Sequence, residues 1–160
     1  MAEGKERPPY TAYAQIAATF VGGLAAASWL AKVLERDPPC DSALDFVVLA
    51  GATFKAARTI ARDDVTSFVR APFVEGEAGS GEEEEPKQTG GLEQAIGELV
   101  TCTRCVGTWA AAGLTATQIV APRFGRLLTW TLAAAAANDF LQTGFAALTS
   151  KSNELDARSD

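Results

Sequence analysis

Residues 11–31 form a run of 21 without a charged side chain. This run limits the possible folds more than any other feature of the chain. A helix of about 20 apolar residues spans the hydrocarbon of a bilayer, whereas the core of a signal peptide is about 7 to 15 residues long. Lys5 and Arg7 precede the run and Lys32 ends it. It reads as a spanning helix over residues 13–34 in preference to a cleaved leader, even though Ala25, Ala26 and Ala27 could mimic a cleavage site. Tyr10 and Tyr13 stand at one end and Trp29 at the other, the placement of aromatic anchors at two interfaces. Ala18, Gly22 and Ala26 recur every four residues, a small-residue stripe suited to close helix contact in lipid.

Pro38, Pro39, Cys40, Asp41 and Ser42 make a turn, with Ser42 as the expected N-cap of a second helix over Ala43–Arg62. That helix carries Asp45, Lys55, Arg58 and Arg62, the last three on one face. It is expected to span with this face against its neighbours. Residues 62–73 read as a short amphipathic element ended near Pro72. Residues 74–91, rich in Gly and Glu, read as a flexible acidic linker too polar to bury. A third apolar segment, from residue 92 or 97 to 121, stops at Pro122, and a fourth covers residues 124–149. The organisation is thus a polar N-terminal segment (1–10), a first helical pair with a cytoplasmic amphipathic element (11–73), the linker (74–91), a second helical pair (92–149) and a polar tail (150–160). The expected fold class is all-α, an integral membrane bundle of three or four transmembrane helices.

The net charge of −6 has a single address. Glu75, Glu77 and Glu82 to Glu85 hold six acids with no base among them, and elsewhere acids and bases number 14 each. No basic excess points to nucleic acid. The expected partners are the lipid bilayer and a membrane protein or a second copy of the chain. With four spans, Lys and Arg are more numerous on the side that holds both termini and the linker, so both termini are expected in the cytoplasm of a multi-pass cell-membrane protein. Cys102 and Cys105 then lie near the cytoplasmic face and Cys40 outside.

The chain has no histidine, which removes imidazole as base and as metal ligand. Glu98, Cys102, Cys105 and Trp109 fall at i, i+4, i+7 and i+11, one face of a continuous helix, at the mouth of an uncharged stretch beginning at Val106. The two thiols have three open readings. They could cycle as a dithiol, with a helix N-terminus and Arg104 favouring the thiolate. They could hold zinc with Glu98, or with a second copy's thiols, although structural zinc takes four ligands. They could only pack, kept reduced in the cytoplasm. No other cofactor is expected. Asp139 and Lys55 fall at similar depth on two spanning helices and form a candidate intramembrane ion pair, either an ion relay or a packing device. Arg58, Arg62 and Arg70 are candidate contacts for anionic headgroups. No phosphate loop, dinucleotide glycine pattern, nucleophile elbow or helical zinc-protease motif is present.

Two blocks carry a family resemblance. One is Thr53, Phe54, Lys55, Arg58, Ile60, Asp63, Val65, Thr66, Val69, Arg70, Pro72 and Phe73; the other is Glu98, Leu99, Thr101, Cys102, Cys105, Gly107 and Trp109. Together they resemble the small bacterial and phage membrane proteins known as domain of unknown function 1360. The resemblance implies a multi-pass membrane protein and no established activity. The expected function is therefore a structural or accessory, partner-binding membrane subunit without catalysis of its own. The alternative is a cysteine-dependent redox or metal-binding membrane protein.

Overall fold

A computed structural model describes residues 8–37, 42–76 and 84–159. Among them the chain is all-α, with six helices and one minimal hairpin. Cys40, the turn at residues 38–41 and the bases Lys5 and Arg7 fall outside the described residues.

Helix α1 (Tyr10–Val33) has 24 residues, about 36 Å at 1.5 Å per residue. It ends in a Schellman motif: the Arg36 amide donates to the Ala31 carbonyl at 3.0 Å and the Glu35 amide to that of Lys32 at 3.3 Å. Glu35 takes the left-handed position, φ +52°, where glycine is usual. Helix α1 is the one described helix long and apolar enough to cross a membrane by length and composition.

Ser42 caps α2 (Ala43–Arg62): its hydroxyl accepts from the Asp45 amide at 3.1 Å and donates to the Asp45 carboxylate at 2.7 Å. Asp45 in the first turn and Arg62 in the last complement the helix dipole. A 3₁₀ turn, Asp64–Thr66, and a single-turn helix α3, Ser67–Arg70, follow. Strands β1 (Val74–Glu75) and β2 (Glu85–Pro86) pair antiparallel, Val74 opposite Pro86. Residues 74–91 were expected to be an unburied linker, but their described ends fold back on the bundle. Helix α4 (Leu92–Thr101) lies against this hairpin so closely that a Cβ on Gly97 would meet the Phe73 carbonyl oxygen at 2.5 Å.

Helices α5 (Thr103–Val120) and α6 (Pro122–Ser159) complete the fold. Pro122 ends one and opens the other, its missing N–H being no loss at a first helical position. Helix α6 has 38 residues, about 57 Å, and takes in the segment expected as a polar tail. Lys151 with Glu154 at 2.9 Å, and Arg158 with Glu154, support that extension on one face.

The core is made where α2, α5 and α6 meet, with α1 laid against α4 and α5. Its residues are small. Ala52, Ala57, Ala61 and Ala136 are buried together with Val48, Val106, Leu114 and Ile119. Many large apolar side chains point outward: Phe46, Phe68, Phe140, Leu141, Phe145 and Leu148 are each at least 63% exposed.

Candidate functional site

The continuous helical face expected from Glu98 to Trp109 does not exist, because the helix breaks at Cys102. That residue has φ −92° and ψ 102°, and serves as C-cap of α4 and N-cap of α5. Helix α4 packs on the hairpin while α5 enters the three-helix core, so the chain must change direction here. The Cys102 sulfur accepts the Cys105 amide at 3.3 Å, the bond a serine or aspartate oxygen makes at an ordinary N-cap.

Both thiols are free, Cys102 half-buried and Cys105 exposed. They precede the uncharged stretch that starts at Val106. Burial pushes the Cys102 thiol up, but hydrogen bonds from the Cys105 thiol and from the Cys105 and Arg104 amides, with the Arg104 charge, outweigh it and leave Cys102 below its ordinary value. Cys105 is pushed up to about 11, first by burial, then by its hydrogen bond to Cys102 and the Cys102 charge. The pair is asymmetric: one thiol favours the thiolate and its neighbour keeps its proton.

Glu98 is not part of a ligand set with the cysteines. Its carboxylate accepts from the Tyr13 hydroxyl of α1 and from Gln94 Nε2 at 2.9 Å. Among the described residues no three of His, Cys, Asp and Glu converge as a metal-binding group. Glu98 thus pins α1 to α4. The spacing that put Glu98 beside the cysteines holds only along an unbroken helix. Glu98, Cys105 and Trp109 do line one apolar groove of about 350 Å³ between α1, α4 and α5, and Phe20 meets Trp109 edge-on at 5.1 Å.

Lys55 and Asp139 come together. Lys55 Nζ donates to Asp139 Oδ2 at 2.8 Å, joining α2 to α6, and Phe54 stacks on Phe140 alongside at 5.2 Å. Arg58 lies with Lys55, Asp63 and Asp139 around the same cleft, and Arg62 is exposed one turn further on.

Arg70 is not a headgroup contact. It is 0% exposed, and its guanidinium grips Glu84 through Nε at 2.6 Å and Nη2 at 3.1 Å. Its Nη1 donates to the carbonyls of Ile60 at 2.8 Å and Asp63 at 3.1 Å, closing the end of α2. The fork is turned onto carbonyls and a carboxylate within the fold, and its complete burial keeps it from lipid. The missed partner, Glu84, was hidden in a run of like residues that reads as a solvated tract.

Both sequence blocks meet in this region of the fold. The family described as Protein of unknown function (DUF1360) matches residues 48–145. The chain belongs to this family. The DUF1360 match takes in most of α2, all of α3 to α5 and most of α6, and so includes Lys55, Asp139, Arg70, Glu98, Cys102 and Cys105. The chain is also similar to "Sporulation protein YjcA" of Bacillus subtilis (strain 168), 31% identical over 111 residues, which cover 62% of this chain and 89% of that relative. No solved structure matches the chain.

Proposed function

We propose that this DUF1360 protein is a multi-pass membrane protein, a bundle of three or four spanning helices that acts as an accessory, partner-binding subunit without catalysis of its own. The inverted packing carries this reading. Among the described residues six of the ten buried apolar side chains are alanines, while most phenylalanines and leucines on α2 and α6 face outward. In water each exposed Phe or Leu forgoes about 1.5–3 kcal/mol of burial. In lipid, where tails are as apolar as leucine, small residues at contacts and large ones outside are the favourable arrangement. Helix α1 supports the reading by length and composition. Helices α2, α5 and α6 would span beside it, with α5 entering the hydrocarbon from Val106, and both termini and the Cys102 corner in the cytoplasm. The relative's name refers that protein to sporulation, and an accessory role in a developmental membrane is the process carried over here. Alkaline carbonate extraction followed by detergent co-purification tests both parts. Retention in the membrane pellet with a reproducible partner is expected; release into the carbonate supernatant overturns the spanning reading.

A second reading rests on the helix break. A thiol at a helix N-terminus, lowered by amide hydrogen bonds and followed one turn later by a thiol held protonated, is the arrangement of an attacking and a resolving cysteine. Reversible Cys102–Cys105 oxidation in defined thiol–disulfide buffers supports it, and a pair that stays reduced at all potentials removes it.

A further inference from the structure

At the α5–α6 corner, the end of the bundle away from the cysteines, Arg36, Arg123 and Arg126 line one concavity of about 430 Å³ with Asp37, Gln118 and Pro122. Two distant parts of the chain meet there: the segment after α1 and the start of α6. The walls are fixed. Arg36 Nη1 donates to the carbonyls of Ile119 at 2.9 Å and Val120 at 3.0 Å, which anchors its fork over the end of α5. Gln118 Nε2 donates to the buried Thr129 hydroxyl at 3.0 Å, and that hydroxyl donates to the Gly125 carbonyl at 2.8 Å. Gly125 crosses Gln118 so closely that an added Cβ would meet its backbone at 2.6 Å.

The charge at this corner is unbalanced. Among the described residues, three guanidinium groups face one carboxylate, Asp37. Among the described residues, Arg123 and Arg126 make no ion pair or hydrogen bond through their side chains, unlike Arg70 and Lys55. Arg123 sits in the first turn of α6, which holds no acid, and Arg126 follows just beyond it, so the helix dipole adds positive potential at this end. The mutual repulsion of such a cluster, screened in part by solvent, is relieved further when an anion binds. A tetrahedral phosphate matches the chemistry, since guanidinium forks bind its oxygens with two parallel N–H donors.

We propose that this corner binds a phosphate group, held between Arg123 and Arg126 with Arg36 as the anchored third donor. The site is independent of the spanning reading, because fork-to-phosphate pairing can serve an anionic lipid headgroup or a soluble phosphate.

The test uses the full-length protein in a neutral detergent. One arm titrates inorganic phosphate by calorimetry; the other measures retention of phosphatidylglycerol against phosphatidylcholine by native mass spectrometry. Binding is expected in at least one arm, weakened about tenfold or more by Arg123→Gln with Arg126→Gln. Saturable phosphate binding identifies a soluble ligand, and selective phosphatidylglycerol retention a headgroup. The exposed arginines can be changed without disturbing the core, and an unchanged circular dichroism spectrum checks the fold. Arg123→Lys with Arg126→Lys keeps the charge but loses the fork, and is expected to bind at an intermediate level. The proposal is overturned if neither probe binds, if binding survives the double Gln change, or if Lys151→Gln with Arg158→Gln, two exposed bases far along α6, weakens it equally.

Discussion

Arg70 and Glu84 are joined by two parallel hydrogen bonds, 2.6 and 3.1 Å, inside the fold. The pair ties α3 to the residue immediately before strand β2, and the remaining nitrogen of Arg70, Nη1, closes the end of α2. Removing one partner leaves an uncompensated buried charge, which costs about 3–5 kcal/mol. Arg70→Ala is therefore expected to lower stability by that amount in detergent-based unfolding. Arg70→Met combined with Glu84→Leu is expected to recover much of the loss. An Arg70→Ala protein as stable as the parent would show that the pair contributes nothing.

Lys55 and Asp139 span the α2–α6 contact at 2.8 Å, with side chains 21% and 39% exposed. The pair is only half-buried, so its coupling is expected at the level of contacting residues, about 0.5–3 kcal/mol. A double-mutant cycle with Lys55→Leu and Asp139→Leu measures it. The double variant should be more stable than the sum of the two losses implies. Simple additivity would mean that the contact carries no coupling.

Much of the fold can be read directly from the sequence, and its unread parts share a cause. Ser42 announces α2 because a short hydroxyl followed three residues later by Asp45 is a local signal. Pro122 marks the α5–α6 corner for the same reason. Lys55 and Asp139 can be matched because regular helices convert residue number into height along the bundle. The break at Cys102 cannot be read this way. Helical periodicity runs through it, and only the packing of α4 on Phe73 and Pro86 requires the turn. Glu98 therefore left the cysteines and joined Tyr13. Arg70 looked like a surface base because its burial depends on Glu84, 14 positions away across the acidic tract.

The thiol asymmetry has a pH consequence. Cys102 lies below the ordinary thiol value and Cys105 above it, so as pH rises the Cys102 thiolate should appear first. In a Cys40→Ser, Cys105→Ala protein, which lacks the Cys105 thiol's hydrogen bond, alkylation of Cys102 should move to higher pH than in Cys40→Ser alone. In Cys40→Ser alone, the second thiol should titrate well above the first, toward 11. The sign for stability follows for each group. The Cys102 contribution is present above the unfolded pKa and lost as pH falls. The Cys105 contribution is present below it and lost as pH rises toward 11. Equal alkylation profiles for the two thiols would contradict the N-cap account.

Glu35 occupies the glycine position of the α1 Schellman motif at φ +52°. Glu35→Gly removes the steric cost of a side chain there and should stabilise the turn by up to about 1 kcal/mol. Thermal unfolding in detergent measures the gain, and a lower midpoint would show that the Glu35 side chain has a compensating role.

The reading of the outward aromatic surface as lipid-facing is tested most directly at Phe140 and Leu141, near the middle of α6 and 63% and 72% exposed. Spin labels placed there, in protein reconstituted into vesicles, report collisions with oxygen, which concentrates in hydrocarbon, and with a charged nickel chelate, which stays in water. A membrane-spanning α6 requires high oxygen and low nickel accessibility at both positions, reversing by Arg158 at the helix end. High nickel accessibility at Phe140 and Leu141 in the reconstituted protein would contradict it.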